Sequence, residues 1–450
     1  MHVVVIGLGQ VGRHVVKTLE WEKHNVVAVD MDEDAVRYVE EHHDVMTLQG
    51  YGASQKVLTT ARAHEADLVV AVTDNDEVNL VAALAARSLG AKRCIARVEG
   101  REWGVESDST GIKYGFLGVD VVFSPKLLLA REFAKIAQSH GATQVIDVAD
   151  DRVEIVSVDL DANFRRTNTS LSRMRLPTGV LVAAIVRDGE LRVPGGADVL
   201  EPGDRVYLCG LREHMLKAEE LFTRRRKAAQ RVCIVGGGVI GEHLAATLLN
   251  EGAEVTLIER NASRAHALSC QLSDATIIRG DGTDIELLND NYVGNYDLFA
   301  AVSNEDEVNL MAALLAKRIG AERTATVVHR AEYVEIHEQL GVNSVLSPRR
   351  LAADHVLRFV RERALKSLAT LENGKAQVVE IRALEGARVI GIPVARMQVP
   401  PGALLCAVLK GDSVVIPDGQ TLIDAGDTVI ALTTPRAYDK LEVLFKQRAF

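Results

Sequence analysis

Val3-Val4-Val5-Ile6-Gly7-Leu8-Gly9-Gln10-Val11-Gly12 opens the chain, and Val232-Cys233-Ile234-Val235-Gly236-Gly237-Gly238-Val239-Ile240-Gly241 restates it 229 residues later. Each stretch is an apolar strand running into a Gly-x-Gly-x-x-Gly turn and then a helical pattern. One such motif is weak evidence, but a second in the same strand-turn-helix context is hard to attribute to chance. In a dinucleotide-binding turn Gly7 permits the bend, Gly9 lets the backbone approach a pyrophosphate and Gly12 allows close helix packing, roles that Gly236, Gly238 and Gly241 repeat. The helices that follow, from Gln10-Val11 and from Val239-Ile240, point unpaired N–H groups and a partial positive charge at the phosphates.

The repeat extends well beyond the loops. Asp76-Glu77-Val78-Asn79-Leu80 matches Asp306-Glu307-Val308-Asn309-Leu310, and Leu84 to Arg93 matches Leu314 to Arg323. The first copy then carries extra residues around Trp103 to Tyr114, after which the offset holds at 223 and Ser124-Pro125-Lys126 meets Ser347-Pro348-Arg349. Later segments pair Leu176-Pro177-Thr178-Gly179 with Val399-Pro400-Pro401-Gly402. Four units follow, at 1–140, 141–228, 229–366 and 367–450, each of ordinary domain size.

Within each amino-terminal unit, apolar strands alternate with helical patterns, as a parallel sheet with crossover helices requires. The first copy predicts strands at Val3–Ile6, Val26–Val29, Val45–Leu48, Leu68–Val72 and Cys94–Val98. The second predicts Val232–Val235, Glu254–Ile258, Ala275–Ile278, Leu298–Val302 and Arg323–Val328. The fold class is therefore α/β, with two Rossmann-like doubly wound parallel-sheet domains, each followed by a small α+β domain. The carboxyl-terminal units predict short strands at Val153–Val158, Val180–Val186, Arg205–Leu208, Val378–Ile381, Ala403–Leu409 and Thr428–Leu432, separated by Gly, Pro and Asp turns, with a helix closing each. Amphipathic helices at Leu127–Ala137 and Leu351–Leu365 either swap to a partner or pack within the chain.

Asp30 and Glu259 end the second strand of each copy, roughly 20 residues past the glycines, where a carboxylate accepts hydrogen bonds from ribose hydroxyls. Such a carboxylate repels a 2′-phosphate, which favours NAD(H), ATP or ADP over NADP, although Arg260 beside Glu259 leaves the second site more ambiguous. Gly50-Tyr51-Gly52 and Gly280-Asp281-Gly282 place backbone near an adenine. Asp281 can bond the adenine edge, whereas Tyr51 can only stack or shield, so the two sites are expected to differ in affinity or preference. Thr73 and Ser303 are expected over the crevice. Asp76, Glu77, Asp306 and Glu307 suit a helix start, and Arg97 reaches either phosphates or an interfacial carboxylate.

A formal net charge of −10 argues against nucleic acid or an anionic membrane as partner. The basic run Arg224-Arg225-Arg226-Lys227 reads as a solvated linker. No stretch approaches the roughly 20 apolar residues of a membrane span, and the chain opens on a core strand, so a cytoplasmic location without membrane insertion is expected. Five scattered cysteines without a Cys-x-x-Cys pair suit a reducing compartment. No histidine spacing implies a metal site.

The glycine triads, Asp30, the Val-Thr-x-x-Asp-Glu-x-Asn stretch at Val72–Asn79 with its partner Val302–Asn309, and Ile258-Glu259-Arg260-Asn261 together resemble the regulator of potassium conductance (RCK) family. The duplicated form looks like the Trk-type potassium-uptake regulators, and the likeness spans essentially the whole chain. It implies a peripheral cytoplasmic protein at the inner face of the membrane, binding NAD(H) and, in several members, ATP or ADP. It also implies a homo-oligomeric ring, dimeric or tetrameric, beneath a TrkH-like membrane potassium channel or transporter subunit. Tyr51 and the Gly100 to Gly118 segment depart from the family pattern. No residues present themselves as catalytic acid, base or nucleophile, which speaks against an enzyme. An NAD-dependent dehydrogenase with an unrecognised substrate site is the alternative, since a Rossmann fold does not dictate function.

Overall fold

The computed structural model describes residues 1–21, 23–100, 103, 111–149, 151–161, 164, 166–223, 228–330, 332–360 and 365–446. The basic run at 224–227 and most of the extra segment near Trp103 therefore lie outside the described residues. The chain forms two units, Met1–Ala134 with Gln230–Val360, and Lys135–Ala229 with Arg361–Phe450. Among the described residues, no helix is long and apolar enough to cross a membrane.

The first unit holds both glycine motifs. Its first sheet runs in the order Met46–Gln49, Asn25–Asp30, His2–Ile6, Leu68–Ala71, Cys94–Arg97, Val119–Phe123, Ile112–Phe116. All neighbours are parallel except the last pair, which is antiparallel. The second sheet, Thr276–Arg279, Glu254–Glu259, Arg231–Val235, Leu298–Ala301, Thr324–Val327, Ser344–Leu346, is parallel throughout. The strands Val119–Phe123, Ile112–Phe116 and Ser344–Leu346 extend each sheet past the expected five.

Burial on both faces explains why the first strand is an unbroken apolar run. Val3 and Val5 pack with Val15, Val16 and Leu19 of the helix Gln10–Trp21, while Val4 and Ile6 pack with Leu58, Ala82 and Ala86 on the opposite face. Strand order reverses at this central strand, which puts a crevice at its carboxyl end.

The helix Pro348–Val360 belongs to the second repeat in sequence and to the first in packing. Its Ala352, Ala353, Val356 and Leu357 are buried in the core cluster of the first sheet. Arg93 Nη2 donates to the Phe359 carbonyl at 3.0 Å, and the His355 ring lies 5.0 Å from that of Phe123. The open choice for this helix is thus resolved as packing within the chain, across the repeat. Its expected end at Leu365 is corrected: Leu365 opens the strand Leu365–Leu371, paired antiparallel with Ala376–Arg382. Leu365 and Leu368 share a helical spacing, but the register Leu365↔Ile381 commits that backbone to a sheet.

The second unit contains two antiparallel five-stranded sheets of equivalent order. Each covers one face with its closing helix, Arg212–Glu219 or Pro435–Phe445. The other faces meet in a shared core that includes Ile146, Ile155, Tyr207, Val378, Ile430 and Leu432. Tyr207 Oη donates to Glu372 Oε1 at 2.7 Å, tying one sheet's strand to the other's edge.

Leu357→Ala removes a buried side chain from a helix that completes the opposite repeat. We expect a loss of about 2 to 4 kcal/mol, with hydrogen exchange faster in His2–Ile6 and Gln10–Trp21. Exchange that changes only in the second repeat would contradict the cross-repeat core.

Candidate functional site

Both glycine turns cap the central strand of their sheet, and their three glycines are required for different reasons. Gly7 has φ +98°, and a Cβ there would come within 2.7 Å of Thr73 N. A Cβ on Gly12 would stand 1.8 Å from the Gly7 carbonyl oxygen, so the helix can start against the turn only with hydrogen at that position. Gly236 and Gly241 repeat both constraints, at 2.9 Å and 1.9 Å. Nothing lies within 4 Å of a Cβ built on Gly9 or Gly238. That middle glycine faces open space, where a ligand would approach. Gln10 and Val239 open the helices Gln10–Trp21 and Val239–Asn250, while Val11 and Ile240 are buried and offer a ligand only backbone.

The two acidic residues reach the turns directly. Asp30 Oδ2 accepts from Leu8 N at 2.5 Å and Oδ1 from Asp32 N at 2.9 Å. Glu259 Oε2 accepts from Gly237 N at 2.7 Å and Oε1 from Asn261 N at 2.6 Å. Each carboxylate therefore sits beside its glycine cradle, held by backbone.

A guanidinium that was not anticipated docks on each turn. Arg13 Nε donates to the Leu8 carbonyl at 2.7 Å, and its charge lies 4.0 Å over the Tyr38 ring. In the second copy Glu242 occupies the corresponding position, and Arg264 from the next helix supplies the donor, Nε to Gly237 O at 2.6 Å, while pairing with Glu242. The same carbonyl is thus held by residues from different elements. No repeat alignment shows that exchange, because the partners do not align.

Thr73 and Ser303 do stand beside the cradle, but their hydroxyl protons are turned inward. Thr73 N and Oγ1 both donate to Asn79 Oδ1, at 2.8 and 2.7 Å, and Asn79 Nδ2 donates to the carbonyls of Thr73 and Arg97 at 3.0 Å. Asn309 ties Ser303 to Val327 in the same way. These fully buried asparagines were read only as part of the motif. Asp76 and Asp306 begin helices as expected and also latch the segment after the fifth strand. Asp76 Oδ2 accepts from Glu99 N, Gly100 N and Trp103 Nε1; Asp306 accepts from His329 N and Arg330 N. Burial pushes the Asp306 carboxyl up, but the His329 and Arg330 donors outweigh it and hold it below its ordinary range.

Gly50 and Gly280 are small for packing, since a Cβ would meet Val57 Cγ2 at 2.6 Å and Leu287 Cδ1 at 2.1 Å. Tyr51 beside the first is half exposed. Asp281 Oδ1 accepts from the backbone and hydroxyl of Thr283 at 2.8 and 2.7 Å, which leaves Oδ2 for another donor. Those bonds lower its carboxyl. Arg97 pairs with Glu99 of its own module at 2.6 Å, and Lys126 Nζ reaches the other Glu99 oxygen at 2.7 Å. Arg97 Nε stays buried without a hydrogen-bond partner. Arg260 pairs with Glu305. Cys94 is buried, and burial pushes its thiol up to about 12. Among the described residues, no group of three His, Cys, Asp or Glu side chains could hold a metal ion.

The TrkA-N domain matches residues 3–125 and 232–348, and the TrkA-C domain matches 156–223 and 378–446. The chain is 33% identical over 446 residues to the "Trk system potassium uptake protein TrkA homolog" of Archaeoglobus fulgidus, covering 99% of this chain and 100% of that one. It is 31% identical over 458 residues to the TrkA of Vibrio alginolyticus, with 100% of both covered. The chain belongs to the TrkA family. Its RCK fold is shared with the solved GsuK RCK domain at TM-score 0.61 and 20% identity, over 98% of this chain and 94% of that one. The GsuK channel bound to NAD aligns at TM-score 0.61 and 19% identity, over 99% of this chain and 78% of that one. In this TrkA-family chain the doubled domains are thus two TrkA-N and two TrkA-C units.

Two substitutions separate the glycine roles. Gly9→Ala should leave the thermal midpoint unchanged yet abolish detectable nucleotide binding at the first site, whereas Gly12→Ala should unfold the first module. A Gly9→Ala protein with unaltered calorimetric titration would refute the open-face reading. Asn79→Ala orphans two backbone carbonyls and a buried amide and should cost about 3 kcal/mol, measurable by urea denaturation.

Proposed function

We propose that this chain is a cytoplasmic regulatory subunit of a Trk-type potassium-uptake system, peripheral to the inner face of the membrane. It binds NAD(H), ATP or ADP at the two glycine cradles. The ligand contacts would come from the backbone of Gly7, Gly9, Gln10, Val11 and Gly12 with Asp30, Gly50, Tyr51, Thr73 and Arg97. At the second site they would come from Gly236, Gly238, Val239, Ile240 and Gly241 with Glu259, Arg260, Gly280, Asp281 and Ser303. The observation that carries this reading is the pairing of an open glycine face with an adjacent backbone-held carboxylate, made twice in one chain.

When bound, a nucleotide supplies phosphates to the helix N-termini and ribose hydroxyls to the carboxylates. The protein's part is mechanical. Residues Asn79 and Asn309 join the segment beside each cradle to the end of the next strand in the sheet, so a ligand that spreads that segment also moves that strand. Nucleotide then shifts a homo-oligomeric ring, dimeric or tetrameric, between states to the extent that it binds them unequally. A TrkH-like membrane subunit responds with altered potassium flux. The relatives named as potassium-uptake proteins favour this regulator over an NAD-dependent dehydrogenase.

Potassium flux through a reconstituted Trk-type membrane subunit plus this chain should change on adding NADH, NAD, ATP or ADP, and should stop changing in the Asp30→Ala/Glu259→Ala double variant. Flux indifferent to all four nucleotides would defeat the proposal, as would steady turnover of NAD with a small carbonyl substrate.

A further inference from the structure

The two cradles also differ at their rims. In the second sheet Arg231–Val235 lies between Glu254–Glu259 and Leu298–Ala301. Neighbouring strands are about 4.8 Å apart, so the outer two stand roughly 10 Å apart, on either side of the glycine turn. One rim is fixed to that turn by Glu259 on Gly237 N at 2.7 Å. The other is fixed by the close approach of Ser303 N to Gly236. Arg260 follows the first anchor, and Glu305 lies two residues beyond the second. Their side chains meet, Nη2 to Oε1 at 3.1 Å, and so join the segments that follow the two anchors.

The helix behind Glu305 indicates what this contact costs locally. In the first copy Asn75 holds the N-cap position of Asp76–Leu89, and its side chain accepts from Val78 N at 2.7 Å. Glu305 holds the same position before Asp306–Ile319 and makes no side-chain cap bond. Its carboxylate is turned to Arg260 instead. Opposite Asn75 the first copy has Met31, an uncharged side chain that is largely exposed. At these two positions the first copy carries no pair of opposite charges, whereas the second carries Arg260 and Glu305 in contact.

We propose that Arg260–Glu305 is a strap over the second cradle, an autoinhibitory contact that slows nucleotide entry there and leaves the first cradle open. This rests on the nucleotide reading above. The strap opposes loading in two ways. Its ion pair must part before the ribose and phosphates can seat against Glu259 and the turn, and the Glu305 carboxylate repels the incoming phosphates. Salt screens both effects, since both partners are more than half exposed. The second site thus loads more readily as ionic strength rises, relative to an unstrapped cradle. For a protein that serves ion uptake, this gives one of two equivalent sites a dependence on the ionic medium that the other lacks.

An exposed pair of this kind is worth at most a few-fold in an equilibrium or a rate. Association of NAD and of ADP is followed by stopped flow on the full-length chain, with Asp30→Ala silencing the first site. Adding Glu305→Gln should speed association at the second site by about two- to fivefold at low salt, and the gain should vanish by 1 M KCl. The reciprocal rim, Met31→Arg with Asn75→Glu in a Glu259→Ala background, should slow the first site by a similar factor. Equal or slower association in the Glu305→Gln protein, or a gain that persists at high salt, overturns the strap while leaving nucleotide binding intact. No binding of either ligand to the wild-type chain overturns the nucleotide reading itself, and the strap with it.

Discussion

A hydrogen atom where any other residue has a side chain sets the geometry of both halves. The start of the helix Gln10–Trp21 presses on the Gly7 carbonyl so closely that a Cβ on Gly12 would overlap it at 1.8 Å, and Gly241 meets Gly236 in the same manner. Because the helix begins there, its free N–H groups converge on the turn and the acidic end of the second strand falls beside them. Because the turn is that tight, Thr73 and Ser303, just past the fourth strand of each sheet, can stand against it. Were the helix to start one residue later, the sheet would survive and the cradle would not.

Around that constraint the repeats keep backbone architecture and exchange side chains. A guanidinium holds the second residue of each turn, yet Arg13 comes from the helix that follows the turn and Arg264 from the helix after the next strand. The position of Arg13 is taken by Glu242, which neutralises Arg264. The first turn thus carries a cation resting on an aromatic ring, and the second an internal ion pair. Such compensated exchanges preserve the fold while altering the electrostatic field at the turn.

The halves also complete each other's cores. The helix Pro348–Val360 buries four residues in the first module's cluster, and in the second unit both antiparallel sheets contribute to one core. Neither repeat closes its apolar surface alone.

Much of this was legible in the residues. The spacing of Gly7, Gly9 and Gly12, the apolar strands and the carboxylates Asp30 and Glu259 are short-range features, fixed by what a tight turn and a doubly buried strand tolerate; most expected strands fall within a residue of those observed, while the one expected at Arg205–Leu208 runs on to Leu211 and the one expected at Val378–Ile381 begins at Ala376. Leu365 was misplaced because an apolar spacing compatible with a helix was recruited into a sheet by Ile381. The inward turn of the Thr73 hydroxyl, the docking of Arg13 and Arg264, the pairing of Arg260 with Glu305 and the destination of Pro348–Val360 were decided only by the tertiary structure. Each depends on partners brought together by sheet order and core packing, and sequence separation along the chain does not encode that proximity.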